Sequence, residues 1–172
     1  MSGFPVRLII PVGVVVDRIK ATSPWADYLW RPSAVLPGEP AAAPWTKLAE
    51  DDQRVAFYAG ATEITLHRSD TGDYRDNLAT GAPALWVVLR ESGGPQPYRL
   101  HLVTASPAQG ESMTEAGNDI VEAVPMPDAI RDQIAAFVAE HHIERSFVKR
   151  TRDRADLESL GRRPPGAPKG DE

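Results

Sequence analysis

Alternating apolar and polar positions predict most of the strands in this chain. Residues 8–16 are rich in Ile and Val and predict a largely buried first strand. Residues 55–68 alternate, so that Ile64 and Leu66 face one side of a predicted strand and the polar residues between them face the other. Gly60 marks a bulge or a tight turn within this strand. Both segments are therefore predicted to belong to a sheet.

A second group of strands is predicted between residues 85 and 124. The continuous apolar run 85–89 is followed by a turn at 92–95 and an alternating segment at 98–104, which is typical of a hairpin. Residues 120–124 and, earlier in the chain, 34–36 predict two further short strands. In the alternating segment one face carries Tyr98, Leu100 and Leu102, and the other carries Arg99 and His101.

The clearest helix is predicted for residues 128–142. Its apolar positions recur at helical spacing, with an acidic residue in the first turn and histidines in the last. Shorter helical turns are predicted within 23–32, 74–78 and 112–117. The apolar stripe of the long helix consists of Ile130, Ile134, Phe137, Val138 and His141.

These elements predict an α+β fold with about six or seven mostly antiparallel strands and a C-terminal amphipathic helix. Their order suits a rolled sheet that the helix covers. The length of 172 residues indicates a single globular domain, for which we predict the boundaries 1–150. Residues 151–172 are basic at first and then rich in Pro and Gly, a composition that predicts a mostly disordered tail.

The absence of cysteine excludes several kinds of chemistry at once. Without thiols the chain has no thiolate nucleophile, iron–sulfur cluster, thiolate zinc site or disulfide. The sequence also contains no glycine-rich phosphate loop and no nucleophile elbow. Zero cysteine fits a reducing compartment, and no apolar run approaches the roughly 20 residues of a membrane span. We therefore expect a cytoplasmic protein without a membrane span.

The charge is unevenly distributed along the chain. The net charge is −5, and residues 1–143 hold 11 Lys and Arg against 18 Asp and Glu, whereas residues 144–172 hold 8 against 6. An acidic body disfavours nucleic acid and anionic membranes. The basic run 149–154 nevertheless leaves open a nucleic-acid-binding module that works through the tail.

Aromatic and basic side chains outside the predicted strands suggest a surface for a protein partner. Trp and Arg are favoured at protein interfaces, although tryptophans near a sheet also serve as covers of the core. Both interpretations stay open for the tryptophans of this proline-rich stretch. The candidate partner-binding residues are Trp25, Trp30, Arg31, Lys149, Arg150 and Arg152.

Histidines on strand faces suggest an alternative small-molecule or cofactor-binding site. His67 and His101 lie on the polar faces of their predicted strands, and Tyr74 and Arg75 follow in the next turn. Such histidines also occur on exposed faces without any function. The adjacent pair at 141 and 142 points about 100° apart on a helix and is a poor chelate. We therefore predict no metal site and no bound cofactor.

Several segments in order along the chain form a recognisable set. They are VVVDR at 14–18, the stretch from Trp25 to Pro32, AVLPG at 34–38, Ala59-Gly60 with Leu66-His67-Arg68, YRDNL at 74–78, WVVLR at 86–90, HLVTASP at 101–107, VPMP at 124–127, Phe137-Val138, His141-His142 and FVKR at 147–150. Together they resemble an uncharacterised proteobacterial family, a domain of unknown function with the serial three-three-zero-five. The resemblance spans about residues 14–152.

The resemblance implies a role near a molybdenum enzyme. Members of that family tend to be encoded beside genes for molybdenum-dependent formate dehydrogenases and their maturation factors. Some carry a label as molybdopterin-guanine dinucleotide biosynthesis proteins, but this chain lacks the glycine-rich loop and the cysteine that such activities require. We therefore expect a non-enzymatic accessory or assembly protein whose partner is the formate dehydrogenase or one of its maturation factors. A homo-oligomer is also left open.

Overall fold

The computed structural model describes residues 6–115 and 117–144 of the chain. Within these ranges the compact unit, which ends at His142, contains seven strands, three α-helices and one short 3₁₀-helix. The strands are β1 (Arg7–Lys20), β2 (Tyr28–Pro37), β3 (Thr46–Glu50), β4 (Arg54–His67), β5 (Ala84–Glu91), β6 (Tyr98–Thr104) and β7 (Ile120–Pro125). The helices are the 3₁₀-helix Arg68–Asp70, α1 (Thr71–Ala79), α2 (Pro107–Thr114) and α3 (Asp128–His141).

The seven strands form two antiparallel sheets. One has the order β2-β1-β4-β3 and the other has the order β6-β5-β7. The predicted mostly antiparallel α+β architecture is therefore confirmed, whereas the single rolled sheet is wrong. The reason lies in the connection after β4, where the 3₁₀-helix and α1 intervene before β5. The chain then begins a second sheet instead of returning as a hairpin partner of β4.

One hydrophobic core joins both sheets and α3. The helix buries the stripe that the sequence predicts, except that His141 is only half-buried. Phe137 packs edge-on against Tyr74 of α1, with ring centroids 6.5 Å apart, and this contact fixes α3 to α1. Core side chains from each element include Ile10, Val12, Val14 and Val16 of β1, Ile64 and Leu66 of β4, Leu85, Val87 and Leu89 of β5, and Ile130 and Ile134 of α3.

Two β-bulges change which side chains face the core. In β4 the pairing skips Ala59, and the adjacent Gly60 adopts φ +131°, so the predicted irregularity is confirmed. In β6 the pairing skips His101. Beyond that bulge Val103 is buried in the core and Leu102 lies on the opposite face, so the predicted shared face of Leu102 with Leu100 is wrong. An extra residue reverses the alternation of every residue that follows.

Three local elements differ from the sequence-based expectation. The segment predicted as a helical turn at 23–32 enters β2 at Tyr28, because its residues pair with β1. Strand β3 was not expected, since all five of its residues are exposed and no apolar alternation marks it. Helix α2 spans Pro107–Thr114 and so begins before the predicted turn at 112–117. It begins there because the Ser106 side chain accepts a hydrogen bond from the Gln109 N–H and caps the helix. No helix in the described ranges is long and apolar enough to cross a membrane.

The close packing of α2 on β5 gives a test of the fold. A Cβ atom added at Gly110 would lie 2.3 Å from Cγ of Trp86, whereas a Cβ at Gly72 in α1 would meet nothing within 4 Å. We expect Gly110→Ala to lower the free energy of unfolding by roughly 1–3 kcal/mol through overpacking. The matched Gly72→Ala change should leave it unchanged or raise it by up to about 1 kcal/mol, since Ala favours helix. Urea denaturation measures both, and equal effects of the two changes would contradict the packing of α2 on Trp86.

Candidate functional site

Cross-strand pairing places aromatic and basic side chains at the end of the β1–β2 hairpin. Arg18 of β1 lies opposite Trp30 of β2, and the core residue Val16 lies opposite Phe57 of β4. Residues directly opposite each other share one face of a sheet, and so do alternate residues along a strand. Arg18, Trp30 and Phe57 therefore continue the sheet face that buries Val16.

Four rings form what we call the aromatic cluster: Trp30, Trp45, Phe57 and Tyr98. Trp30 lies at its centre, stacked on Phe57 with ring centroids 5.9 Å apart and edge-on to Trp45 at 5.8 Å. Tyr98 of the second sheet approaches Trp30 to 6.2 Å. The cluster therefore covers the core at this end of the molecule and links the two sheets.

The guanidinium of Arg18 lies against these rings. Its central carbon is 4.5 Å from the ring centroid of Tyr28, 5.5 Å from that of Phe57 and 5.9 Å from that of Trp30. Such cation–π contacts stabilise by about 0.5–2 kcal/mol. The Nε atom of Arg18 is buried and has no hydrogen-bond partner in the part of the chain that the structure describes. A buried donor without an acceptor destabilises the folded state by about 1–3 kcal/mol. The cation–π contacts of Arg18 offset part of this unfavourable free energy.

The backbone of Trp45 adopts an unusual conformation at the edge of the aromatic cluster. Its φ is 66°, in the left-handed region that a bulky side chain rarely occupies. The Trp45 N–H donates to the carbonyl of Tyr58, and β3 begins at the next residue. Conformations of this kind cost about 1–3 kcal/mol and persist where the surroundings enforce them. The contacts of the Trp45 ring with Trp30 and Phe57 hold its backbone in this conformation.

The outer part of the same hairpin exposes apolar side chains, which we call the hairpin strip: Trp25, Tyr28 and Leu29. Trp25, in the loop that connects β1 and β2, is 93% exposed, and Tyr28 and Leu29 are 43% and 57% exposed. Arg31 follows on β2, where its side chain pairs with Glu122 of β7 at 3.1 Å. Consecutive strand residues face opposite sides of a sheet, so Tyr28 lies on the face of Arg18 and Leu29 on the face of Arg31. The strip is therefore an accessible apolar end of the hairpin with side chains on both faces.

The residues predicted for partner binding fall into two groups. Trp30 packs in the aromatic cluster and covers the core, whereas Trp25 and Arg31 remain accessible on the hairpin. These three residues therefore lie at one end of the first sheet. The other three, Lys149, Arg150 and Arg152, lie outside the described residues.

A polar cleft with a volume of about 450 Å³ lies where the last half of β4 faces β6. Ser106 donates from Oγ to Oδ2 of Asp73 at 2.8 Å while it caps α2. Thr104 donates from Oγ1 to Oε1 of Gln109 at 2.6 Å. The hydroxyl groups of Ser106 and Thr104 are therefore engaged in hydrogen bonds that hold α2 in place. The lining includes Glu63, Thr65, His67, Asp70, Asp73, Thr104, Ser106 and Gln109.

The four residues predicted for a small-molecule site do not converge. His67 lines the polar cleft, and its backbone N–H donates to the Tyr74 hydroxyl at 3.1 Å. Tyr74 itself is buried, and this burial raises the pKa of its phenol. Arg75 lies on α1, with Nη1 3.0 Å from Nε2 of His142. His101 occupies the bulge of β6 and does not line the cleft.

An ion pair near His101 fixes the start of β7. Arg90 donates from Nε and Nη2 to the two carboxylate oxygens of Asp119, at 3.1 Å and 2.9 Å. These hydrogen bonds lower the pKa of Asp119, and the charges of Arg90, His101 and Arg99 lower it further. His101 thus lies in the electrostatic surroundings of this pair. Within residues 6–115 and 117–144 no group of three or more His, Asp or Glu side chains is arranged to hold a metal ion.

Sequence reasoning missed the residues that give both regions their character. Arg18 lies two residues beyond the predicted first strand 8–16, and only the register of the β1–β2 hairpin shows that it faces Trp30. Tyr28 was assigned to a helical turn, although it pairs with Lys20. Ser106 is distant in sequence from Asp73, and α1 and α2 bring them together. A Ser-Pro pair is nevertheless a recognisable N-cap signal that could have placed Ser106 at a helix start.

The two antiparallel sheets and the helices packed on them define the class of protein, an α+β domain, and one arginine lies against its aromatic cluster. The chain belongs to the family described as protein of unknown function (DUF3305), which it matches over residues 11–151. This match confirms the resemblance in the sequence and covers the chain from within β1 through α3. No curated protein and no solved structure matches the chain.

The Arg90–Asp119 pair predicts how stability depends on pH. Because the folded state lowers the pKa of Asp119, the pair stabilises the protein at neutral pH, and this contribution is lost as the pH falls through the folded-state pKa. We therefore expect Asp119→Asn to destabilise at pH 7, with a difference from the wild type that shrinks below about pH 4. Urea denaturation at a series of pH values measures this difference.

Asp132→Asn on the exposed face of α3 is the matched control, since surface pairs of this kind contribute little. A deficit of Asp119→Asn that stays constant down to low pH would show that the ion pair is not its cause.

Proposed function

We propose that this protein is a cytoplasmic, non-enzymatic accessory or assembly factor of a molybdenum-dependent formate dehydrogenase and acts through protein–protein contacts. The observation that carries the proposal is the hairpin strip, in which Trp25 is 93% exposed beside Tyr28 and Leu29. Interfaces concentrate their energy in buried Trp, Tyr and Arg side chains. The choice of partner follows the resemblance to a family whose members are encoded beside formate dehydrogenase genes.

The rigidity of the neighbouring residues also supports an interaction surface. Trp30 and Arg18 are held by ring contacts, so their side chains are ordered before any partner arrives. Pre-ordered side chains reduce the entropy cost of association. The strip next to them supplies apolar area that a partner can bury.

A genetic complementation experiment tests the proposal. In cells that lack the gene, we expect the wild-type chain to restore formate dehydrogenase activity and the double variant Trp25→Ser, Leu29→Ser to restore much less. Truncating a central hot spot weakens binding by at least about 2 kcal/mol, or roughly 30-fold. Lys149→Glu with Arg150→Glu should act in the same direction. His67→Ala with His101→Ala should restore the wild-type level.

The readouts are formate oxidation in extracts and the melting temperature of each purified variant. Both hairpin residues are exposed, so their change should leave the melting temperature close to that of the wild type. Full activity with the hairpin variant would refute the role of the strip. Loss of activity with the histidine variant alone would favour an enzyme instead.

The polar cleft supports a second candidate, a small-molecule-binding protein. The cleft has three carboxylate residues and one histidine in its lining, Glu63, Asp70, Asp73 and His67, a composition that favours a positively charged ligand. His67 remains in this hypothesis, but the other residues that the sequence suggested for the site lie elsewhere. The histidine variant in the complementation experiment separates this candidate from the accessory role.

A further inference from the structure

We propose that Arg18 and the rings around it form a carboxylate-binding site that recognises an acidic segment of a protein partner. The inference rests on the proposed function only in taking the ligand to be a protein. It adds the chemistry of the ligand: a carboxylate next to an apolar side chain.

The first argument is that Arg18 forms no ion pair with any of the residues that the structure describes. The described part of the chain offers no ion pair and no side-chain hydrogen bond to its guanidinium, although the Nε atom is buried. Partly buried arginines are normally paired with an acid. Aromatic ring faces hold the cation without consuming its N–H donors, and the Nη groups, unlike the buried Nε, stay available for a bidentate carboxylate.

The second argument is that nearby carboxylates are already paired with other cations. Asp17, the neighbour of Arg18 on β1, is bound to Arg54 at 3.1 Å. Glu50 lies in the same cross-strand row as Arg18 and is bound to Lys47 at 2.7 Å. The pKa of Glu50 is lowered mainly by Lys47 and only weakly by the charge of Arg18. The guanidinium of Arg18 is therefore left without a carboxylate in direct contact among the described residues.

The third argument concerns what surrounds the guanidinium. Tyr28 contacts Arg18 and belongs to the hairpin strip, so apolar surface lies directly beside the donor group. A carboxylate on a peptide can reach Arg18 while a neighbouring apolar side chain packs on the exposed part of Tyr28. A phosphate polymer fits less well than a short acidic segment, since it carries more negative charge per length and the chain as a whole has a net charge of −5.

A titration with a defined probe tests the site. The probe is a blocked peptide with the motif Glu-Leu-Glu between Gly and Ser spacers, and the control peptide has Gln-Leu-Gln. We expect the acidic peptide to shift the indole N–H signals of Trp30 and Trp45 in spectra of the full ¹⁵N-labelled chain. Affinity should fall roughly tenfold or more in Arg18→Gln, since a charge-assisted bidentate pair is lost.

Two further variants keep the result decisive. Arg18→Lys retains the positive charge but loses the planar pair of guanidinium donors, so it should also bind the acidic peptide more weakly. If Arg18→Gln does not fold, the affinity of Arg18→Lys tests the proposal. Arg131→Gln on α3 removes an exposed arginine that pairs with Asp128 of its own helix, and it should bind like the wild type. Equal binding of both peptides, or unchanged affinity in both Arg18 variants, would overturn the proposal.

Two additional measurements separate this inference from its alternatives. A single-stranded oligonucleotide that shifts the same signals more strongly than the acidic peptide would overturn it in favour of nucleic acid. Co-purification with formate dehydrogenase that persists in Arg18→Gln would overturn the site while the accessory role stands. Peptide binding that depends on Arg18, in a protein that never co-purifies with formate dehydrogenase, would support the site and refute the accessory role.

Discussion

The structure depends above all on the double pairing of β1. This strand pairs with β2 along one edge and with β4 along the other, and its inner face buries Ile10, Val12, Val14 and Val16. Each fully buried side chain of this kind stabilises the fold by about 1.5–3 kcal/mol. The same alternation places Arg18 two residues beyond Val16, on the same face. A slip of one residue in the register would turn the core residues and Arg18 to the other side together.

Because the core face and the aromatic cluster belong to one strand alternation, stability and surface chemistry are linked. The rings that cover the core also hold the guanidinium of Arg18, with Tyr28 at 4.5 Å. Their packing offsets the unsatisfied Nε–H and the left-handed backbone of Trp45. Costs of this kind persist where packing over-determines the conformation, which occurs often at functional positions.

The sequence predicted the elements that bury a regular apolar pattern. The strands at 8–16, 55–68 and 85–89 and the helix at 128–142 are of this kind. Strand β3 escaped prediction because its place depends on backbone hydrogen bonds to β4 and not on burial. The division into two sheets also escaped, since local patterns do not state which strands pair. For the candidate site, composition drew attention to Trp30 and Arg31, whereas Arg18 required the hairpin register.

The polar cleft and the aromatic cluster differ in how many internal hydrogen bonds a ligand must displace before it binds. In the cleft Ser106 is bound to Asp73 and Thr104 to Gln109, so a ligand that uses these groups must first displace internal hydrogen bonds. The net gain of such an exchange is small. At Arg18 a carboxylate would add hydrogen bonds without displacing any contact in the described part of the chain. A guanidinium that is already ordered and forms no ion pair among the described residues therefore suits an external anion, whereas the carboxylates that line the cleft favour a cation.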